Sequence, residues 1–258
     1  MTTSWEYLVL QICFAFTATL LNVYFFHILK QHLNNYLWVL LSSLSSAHVV
    51  ANCGLLSMGV LMVVVQHYFD DVLDLQRFQL CMLLLSVFLV LLHVVSVTIK
   101  DLMLVVGRII PKDNISMIIL PWLSTAAVCL MLGLLDDRGI SEVAHALCLA
   151  VLVVDILLIF IHTLVQRRLR KKQKAGWEGA ICVGDNLATT KGIYPSNIGC
   201  FLTLTFVALT LPLVVERLVY HRNGSVSTFC VSMTSIMHGM NLIRSSKGGW
   251  DLKMPIDV

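Results

Sequence analysis

The chain has 258 residues, of which 58% are hydrophobic and only 13% charged, and its mean hydropathy is +0.85. A soluble domain carries about 25% charged residues, so this composition excludes a soluble globular enzyme, a disordered chain and a nucleic-acid-binding domain. It reads instead as an all-α protein that crosses a membrane repeatedly, and at ~20 apolar residues per span the length allows about six to eight spans.

Seven apolar stretches follow in chain order, at 7–29, 37–65, 78–106, 115–135, 144–165, 198–220 and 226–243. Helix is the expected state of each, because lipid cannot satisfy an open strand edge. Six residues precede the first stretch, too few for the basic region of a cleaved signal peptide, so the first span is expected to act as a retained signal-anchor. The third stretch runs past the Lys100–Asp101 pair towards Val106. The seventh is the least apolar, being broken up by Ser, Thr, His and Gly.

Charge sets the orientation. With the N-terminus outside and the C-terminus in the cytosol, 14 of the 18 basic residues lie inside, leaving Arg77, Arg138, Arg217 and Arg222 outside. Acidic residues lean the other way, with Asp70, Asp71, Asp74, Asp136, Asp137 and Glu142 outside. The sequon at Asn223 also falls outside and is a candidate glycosylation site, whereas the one at Asn114 falls inside, where it is silent. The longest cytosolic segment, 166–197, opens with Arg167, Arg168, Arg170, Lys171, Lys172 and Lys174. Such a run anchors to anionic lipid headgroups and also suits a docking surface for a cytosolic protein. The two roles are compatible. A short tail, 244–258, follows the last span and has no cysteine.

The eight cysteines contain no CxxC, and most lie within apolar stretches, where Cys is a small hydrophobe. Cys81 differs in sitting at the outer end of the third span, and Cys148 is the nearest candidate for a disulfide with it. His48, His93, His162 and His238 lie within spans, without the His-x-x-x-His spacing of a helical metal site. They are expected to hydrogen-bond neighbouring helices, with no metal and no cofactor. Asp155 is the one carboxylate deep in a span and must face the bundle interior. It either bonds a neighbouring His or hydroxyl, or forms a ligand, ion or proton site.

Several positions carry a resemblance. Asn22 in Leu20–Val23, Trp122 in Leu120–Leu123, and Pro212 with Phe206 ahead of it match single-helix landmarks, as does Cys81 at the top of the third span. In these and in its seven-span, N-out layout the chain resembles a divergent rhodopsin-like G-protein-coupled receptor. Within that family, the stretches Tyr7–Asn22, Leu92–His93 and Asp251–Asp257 are similar to the orphan group numbered 160. The departures are specific. His48 stands where the family has the helix-two Asp, and Asp101-Leu102-Met103 replaces Asp-Arg-Tyr, without the Arg. Thr210 replaces the helix-six Trp, and Ile236–Asn241 occupies the region of Asn-Pro-x-x-Tyr.

The resemblance implies an orphan-like receptor in the plasma membrane that senses an extracellular ligand and signals through its cytosolic loops to a heterotrimeric G protein or another cytosolic signalling protein. The missing Arg puts G-protein activation in doubt. No acid lies between Cys81 and Ile99 to pair with an amine ligand, and no Lys lies between Val226 and Ile243 to form a retinal Schiff base. The alternative is a non-signalling seven-helix scaffold or a small transporter. A transporter is expected to carry repeats and several intramembrane charges, and here only Asp155 is available. No nucleophile–base pair or metal cluster marks an enzyme.

Overall fold

The computed structural model describes residues 5–29, 36–68, 73–106, 115–182, 196–220 and 225–247. They form seven helices and, among the described residues, no strand. The helices are α1 (Trp5–Leu29), α2 (Tyr36–Tyr68), α3 (Leu73–Val106), α4 (Ser116–Leu134), α5 (Asp137–Cys182), α6 (Ser196–Tyr220) and α7 (Ser225–Lys247). Each of the seven apolar stretches is thus a helix. Five helices are long and apolar enough to cross a membrane, over Leu8–Ile28, Val39–Val65, Phe78–Lys100, Ser116–Leu134 and Arg138–Val165. The apolar parts of α6 and α7, Gly199–Pro212 and Phe229–Ile243, are shorter.

Two helix ends are set by something other than hydropathy. α5 is 46 residues long, about 69 Å at ~1.5 Å per residue. It does not stop where its apolar run stops, at Val165, but continues through the basic run to Cys182. Arg, Lys and Gln are good helix formers, so hydropathy marks where lipid can end without marking where the helix ends. Residues 166–182 of the segment read as a loop are therefore helix. At its other end α5 begins at Asp137, separated from α4 by only Leu135 and Asp136. The Asp136 carboxylate accepts a hydrogen bond from the N–H of Gly139 at 2.8 Å and caps the helix. Arg138 and Glu142 pair at 3.2 Å on the exposed surface of its first turns.

α3 is the centre of the bundle, packing against α2, α4, α5, α6 and α7. α1 lies against α2 and α7, and α6 lies between α5 and α7. The shared core includes Phe25, Leu40, Leu44, Leu91, Val94, Leu158 and Phe206. Apolar helices surrounded by lipid gain little by burying apolar area against one another, so close packing and polar bonds decide which faces meet. Two glycines supply the close packing around α1. A Cβ on Gly59 of α2 would sit 2.9 Å from Ile12, and one on Gly239 of α7 would sit 3.4 Å from the Asn22 amide.

Candidate functional site

Among the described residues, many polar side chains inside the apolar helices join into hydrogen-bonded groups that link helices, while Gln11, Ser42 and Ser232 stand outside them. The largest ties α1, α2, α6 and α7. Asn22 on α1 donates through Nδ2 to the Ser235 carbonyl on α7 at 3.1 Å, to Ser235 Oγ at 3.2 Å and to the Ala18 carbonyl of its own helix at 2.9 Å. The Ser45 hydroxyl on α2 donates back to the Asn22 carbonyl at 2.9 Å, and Asn52 Nδ2 donates to Ser235 Oγ at 2.7 Å. One turn along α2 from Asn52, His48 Nε2 lies 2.9 Å from His238 Nδ1. His238 Nε2 lies 2.9 Å from the Leu202 carbonyl on α6. A carbonyl only accepts, so His238 carries its proton on Nε2. With both rings neutral, Nδ1 of His238 then accepts from the Nε2–H of His48. All of these side chains are buried, Asn22, His48, Asn52, Ser235 and His238 completely.

A second group joins α2, α3 and α4 by the same logic. His93 Nδ1 donates to the Leu89 carbonyl at 2.8 Å, so its Nε2 accepts from the Ser43 hydroxyl at 2.9 Å. Ser43 Oγ in turn accepts from the Trp122 indole N–H at 3.1 Å, and the Trp122 ring meets His93 edge-on at 5.5 Å. A third joins α3, α5 and α6, where His162 Nε2 lies 3.1 Å from Thr98 Oγ1 and 2.9 Å from Thr203 Oγ1. In the fourth, the Thr210 hydroxyl on α6 lies 3.1 Å from Asp155 Oδ2 on α5.

A small cavity of about 10 Å³ sits between α2, α3, α6 and α7. Its wall includes His48, Ser86, Phe206, Thr210 and Thr234. It adjoins the first group through His48 and the fourth through Thr210.

The sequence-derived positions are distributed unevenly over these groups. Asn22, His48 and His238 come together in the first, and His93 and Trp122 in the second. Asp155 takes the hydroxyl bond that was one of its two readings, and Phe206 is buried beside the cavity. Pro212 lies on an exposed face of α6. Asp101 lies in α3 beyond Lys100, which is itself buried. Arg167 and Arg168 are exposed on α5, while Arg170, Lys171, Lys172 and Lys174 occupy the helix after them. Asn223 and the tail from 248 lie outside the described residues.

The expected bridge is not present, because Cys81 and Cys148 are both thiols with no disulfide joining them. The early start of α5 gives the reason. With the helix beginning at Asp137, Cys148 lies about three turns inside it and packs as part of the core rather than at the outer surface.

Sequence reasoning missed Ser43, Ser45, Asn52, Thr98, Thr203 and Ser235 as partners. A signal for some of them existed, since Ser45, His48 and Asn52 fall at i, i+3 and i+7 on one face of an otherwise apolar helix. The hydroxyls of α3 and α6 gave no comparable spacing.

No family model matches the chain, and no curated protein matches it. The chemistry of the interior is therefore read from its own side chains. Those in the four groups are amides, hydroxyls, imidazoles and the Trp122 indole apart from Asp155, each group links two or more helices, and Lys100 of α3 is buried as well. Among the described residues no three His, Cys, Asp or Glu side chains converge to hold a metal.

Proposed function

We propose that the chain is a seven-span receptor in the plasma membrane, N-terminus outside, that passes an extracellular signal to a cytosolic partner. The observation that carries the reading is the form of α5, which runs on as helix from its apolar span to Cys182 and presents Arg167 and Arg168 on an exposed surface. A rigid, basic extension of a spanning helix converts movement inside the bundle into movement of a docking surface beyond the membrane, which a flexible basic loop cannot do. The central position of α3 and the packing of α6 and α7 into the same bundle support seven spans and the resemblance to rhodopsin-like receptors. The basic-residue bias supports the orientation.

In this reading a ligand binds among the outer halves of α3, α5, α6 and α7 and favours one packing of the bundle over another. Pro212 has no N–H to give the Ala208 carbonyl, so α6 has a point where it can bend. The cytosolic partner, a heterotrimeric G protein or another signalling protein, meets the inner ends of α3, α5 and α6 beside anionic lipid.

Epitope tags test the frame. The N-terminal tag is expected to be labelled on intact cells and the C-terminal tag only after permeabilisation, and labelling of both ends from one side overturns it. Proximity-based recruitment of G proteins and arrestins tests the signalling role. Recruitment is expected, and Arg167→Glu with Arg168→Glu is expected to reduce it about tenfold, the effect of ~1.4 kcal/mol of lost docking energy. Normal surface display with no recruitment leaves a non-signalling scaffold.

A further inference from the structure

α5 and α6 meet at two polar rungs, His162 against Thr203 and Asp155 against Thr210. The rungs are seven residues apart on both helices, about 10 Å at ~1.5 Å per residue. Asp155 is the only buried carboxyl among the described residues, at 3% exposure. Unlike the imidazole of the other rung, it brings a possible charge into the bundle.

One proton is missing at the Asp155–Thr210 rung. Thr210 Oγ1 has three oxygens within reach, the Phe206 carbonyl at 2.9 Å, Asp155 Oδ2 at 3.1 Å and the Val207 carbonyl at 3.4 Å. The hydroxyl has a single proton, and neither carbonyl has one to give. The shortest of the three contacts is the one to Phe206. With the Thr210 proton on that carbonyl, Asp155 Oδ2 faces a hydroxyl lone pair. Two oxygens placed this way repel unless the carboxyl brings a proton of its own.

Burial points the same way. Oδ1 is buried and finds no donor among the described residues. α5 packs against α3 and α6, and neither brings a described counter-charge to this depth. Val87 and Val90 of α3 share a cavity wall with Thr210, so the α3 side chains at this level are apolar. His93 of α3 turns to Ser43 and Trp122, and His48 of α2 is engaged with His238. Lys100 lies two residues beyond Thr98, which bonds His162 at the other rung. Along α6, Cys200 is ten residues from Thr210, and Glu216 and Arg217 are six and seven. Along α5, Cys148 and His162 are each seven residues from Asp155. An ionised carboxyl here is a costly unpaired charge, whereas the neutral acid leaves only one carbonyl oxygen without a donor.

We propose that Asp155 is a proton-binding site, a neutral acid that donates from Oδ2 to Thr210 Oγ1, which donates in turn to the Phe206 carbonyl. The bound proton makes this contact attractive and latches α5 to α6. Its loss leaves a charge facing a lone pair, or forces Thr210 to give up the Phe206 carbonyl. A neutral acid offers no charge to a metal cation, so the one carboxyl on which ion-coupled transport could rest is engaged in holding two helices together. The inference holds for a receptor and for a scaffold alike.

The test is infrared spectroscopy on the full chain in nanodiscs at neutral pH, with the aspartate carboxyl carbons isotope-labelled. A protonated carboxyl has a C=O band apart from those of ionised carboxylates. One such band is expected, moved by the label and lost in Asp155→Asn. Its absence from the folded protein overturns the proposal. Thr210→Val, nearly equal in volume, removes the acceptor and is expected to move the band to higher frequency, with Thr210→Ser restoring it. An unmoved band in Thr210→Val overturns the donor role. If Asp155→Asn does not fold, the shift in Thr210→Val assigns the band instead. Asp155→Asn keeps a donor for Thr210 and is expected to hold the thermal midpoint within about 2 °C, whereas Asp155→Leu is expected to lower it by about 2–4 °C. A midpoint that rises further than this in Asp155→Asn overturns the proposal in favour of a buried charge. An acid band that appears only when choline chloride replaces sodium chloride overturns it in favour of a cation on the carboxylate.

Discussion

α3 and α4 are both apolar enough to cross a membrane, yet they occupy opposite environments. In the apolar stretch of α3, 61% of residues are buried inside the bundle, against 11% in α4. Leu120, Leu123, Leu130 and Leu134 of α4 are all more than half exposed, the last at 88%. Hydrophobicity therefore does not decide which helix sits at the centre. What separates the two is their polar content. α3 sends His93 to α2 and Thr98 towards α5 and α6, each with a partner across a helix boundary. From α4, Trp122 bonds Ser43 of α2, while the Thr125 hydroxyl folds back on the Pro121 carbonyl of its own helix. In lipid the apolar surface of α4 costs nothing to leave outside, and the hydroxyls and imidazoles of α3 do.

Substitutions on the two helices sharpen this contrast, each read as a shift in the unfolding midpoint of the purified protein in bicelles. The largest effect is expected from Leu91→Ala in α3. The unfolded helix stays in lipid, so the transfer part of the usual core penalty drops out, and the packing and cavity part leaves about 2 kcal/mol. His93→Leu comes next, at about 1–2 kcal/mol, because it removes the bond to Ser43 while keeping the volume of the site approximately filled. Trp122→Phe keeps the ring edge near His93 but loses the indole donor, for about 0.6 kcal/mol. Leu123→Ala on the outer face of α4 makes the same chemical change as Leu91→Ala and is expected to shift stability by less than about 0.5 kcal/mol. A cost for Leu123→Ala equal to that of Leu91→Ala removes the contrast altogether, since it means that α4 is buried against something else.

The sequence made the helices legible and the joints only partly so. Apolar stretches located all seven described helices, five of them long and apolar enough to cross a membrane, where a segment has no other way to satisfy its backbone. The apolar part of α5 ends at Val165 as the sequence reads, but the helix itself starts at an aspartate cap and runs on through a basic stretch of good helix formers. Cys148 packs in the core of the bundle, away from the role its position suggested. His48, His93, His162 and His238 stood out as buried polar residues needing partners, but the identity of those partners was hidden. Ser43, Thr98, Thr203 and Ser235 lie 41 to 213 residues away in sequence from the histidines and amides they bond, and no local pattern encodes such a pairing.

Composition, apolar length and the scarcity of charge by themselves determined an all-helical, membrane-spanning chain, since those properties set how each segment meets lipid. Which helix is central and that His48 faces His238 were decided only by the tertiary structure. The reason is that helix association in lipid rests on a few hydrogen bonds and close contacts between segments distant in sequence, and those depend on rotation and depth, which hydropathy does not record.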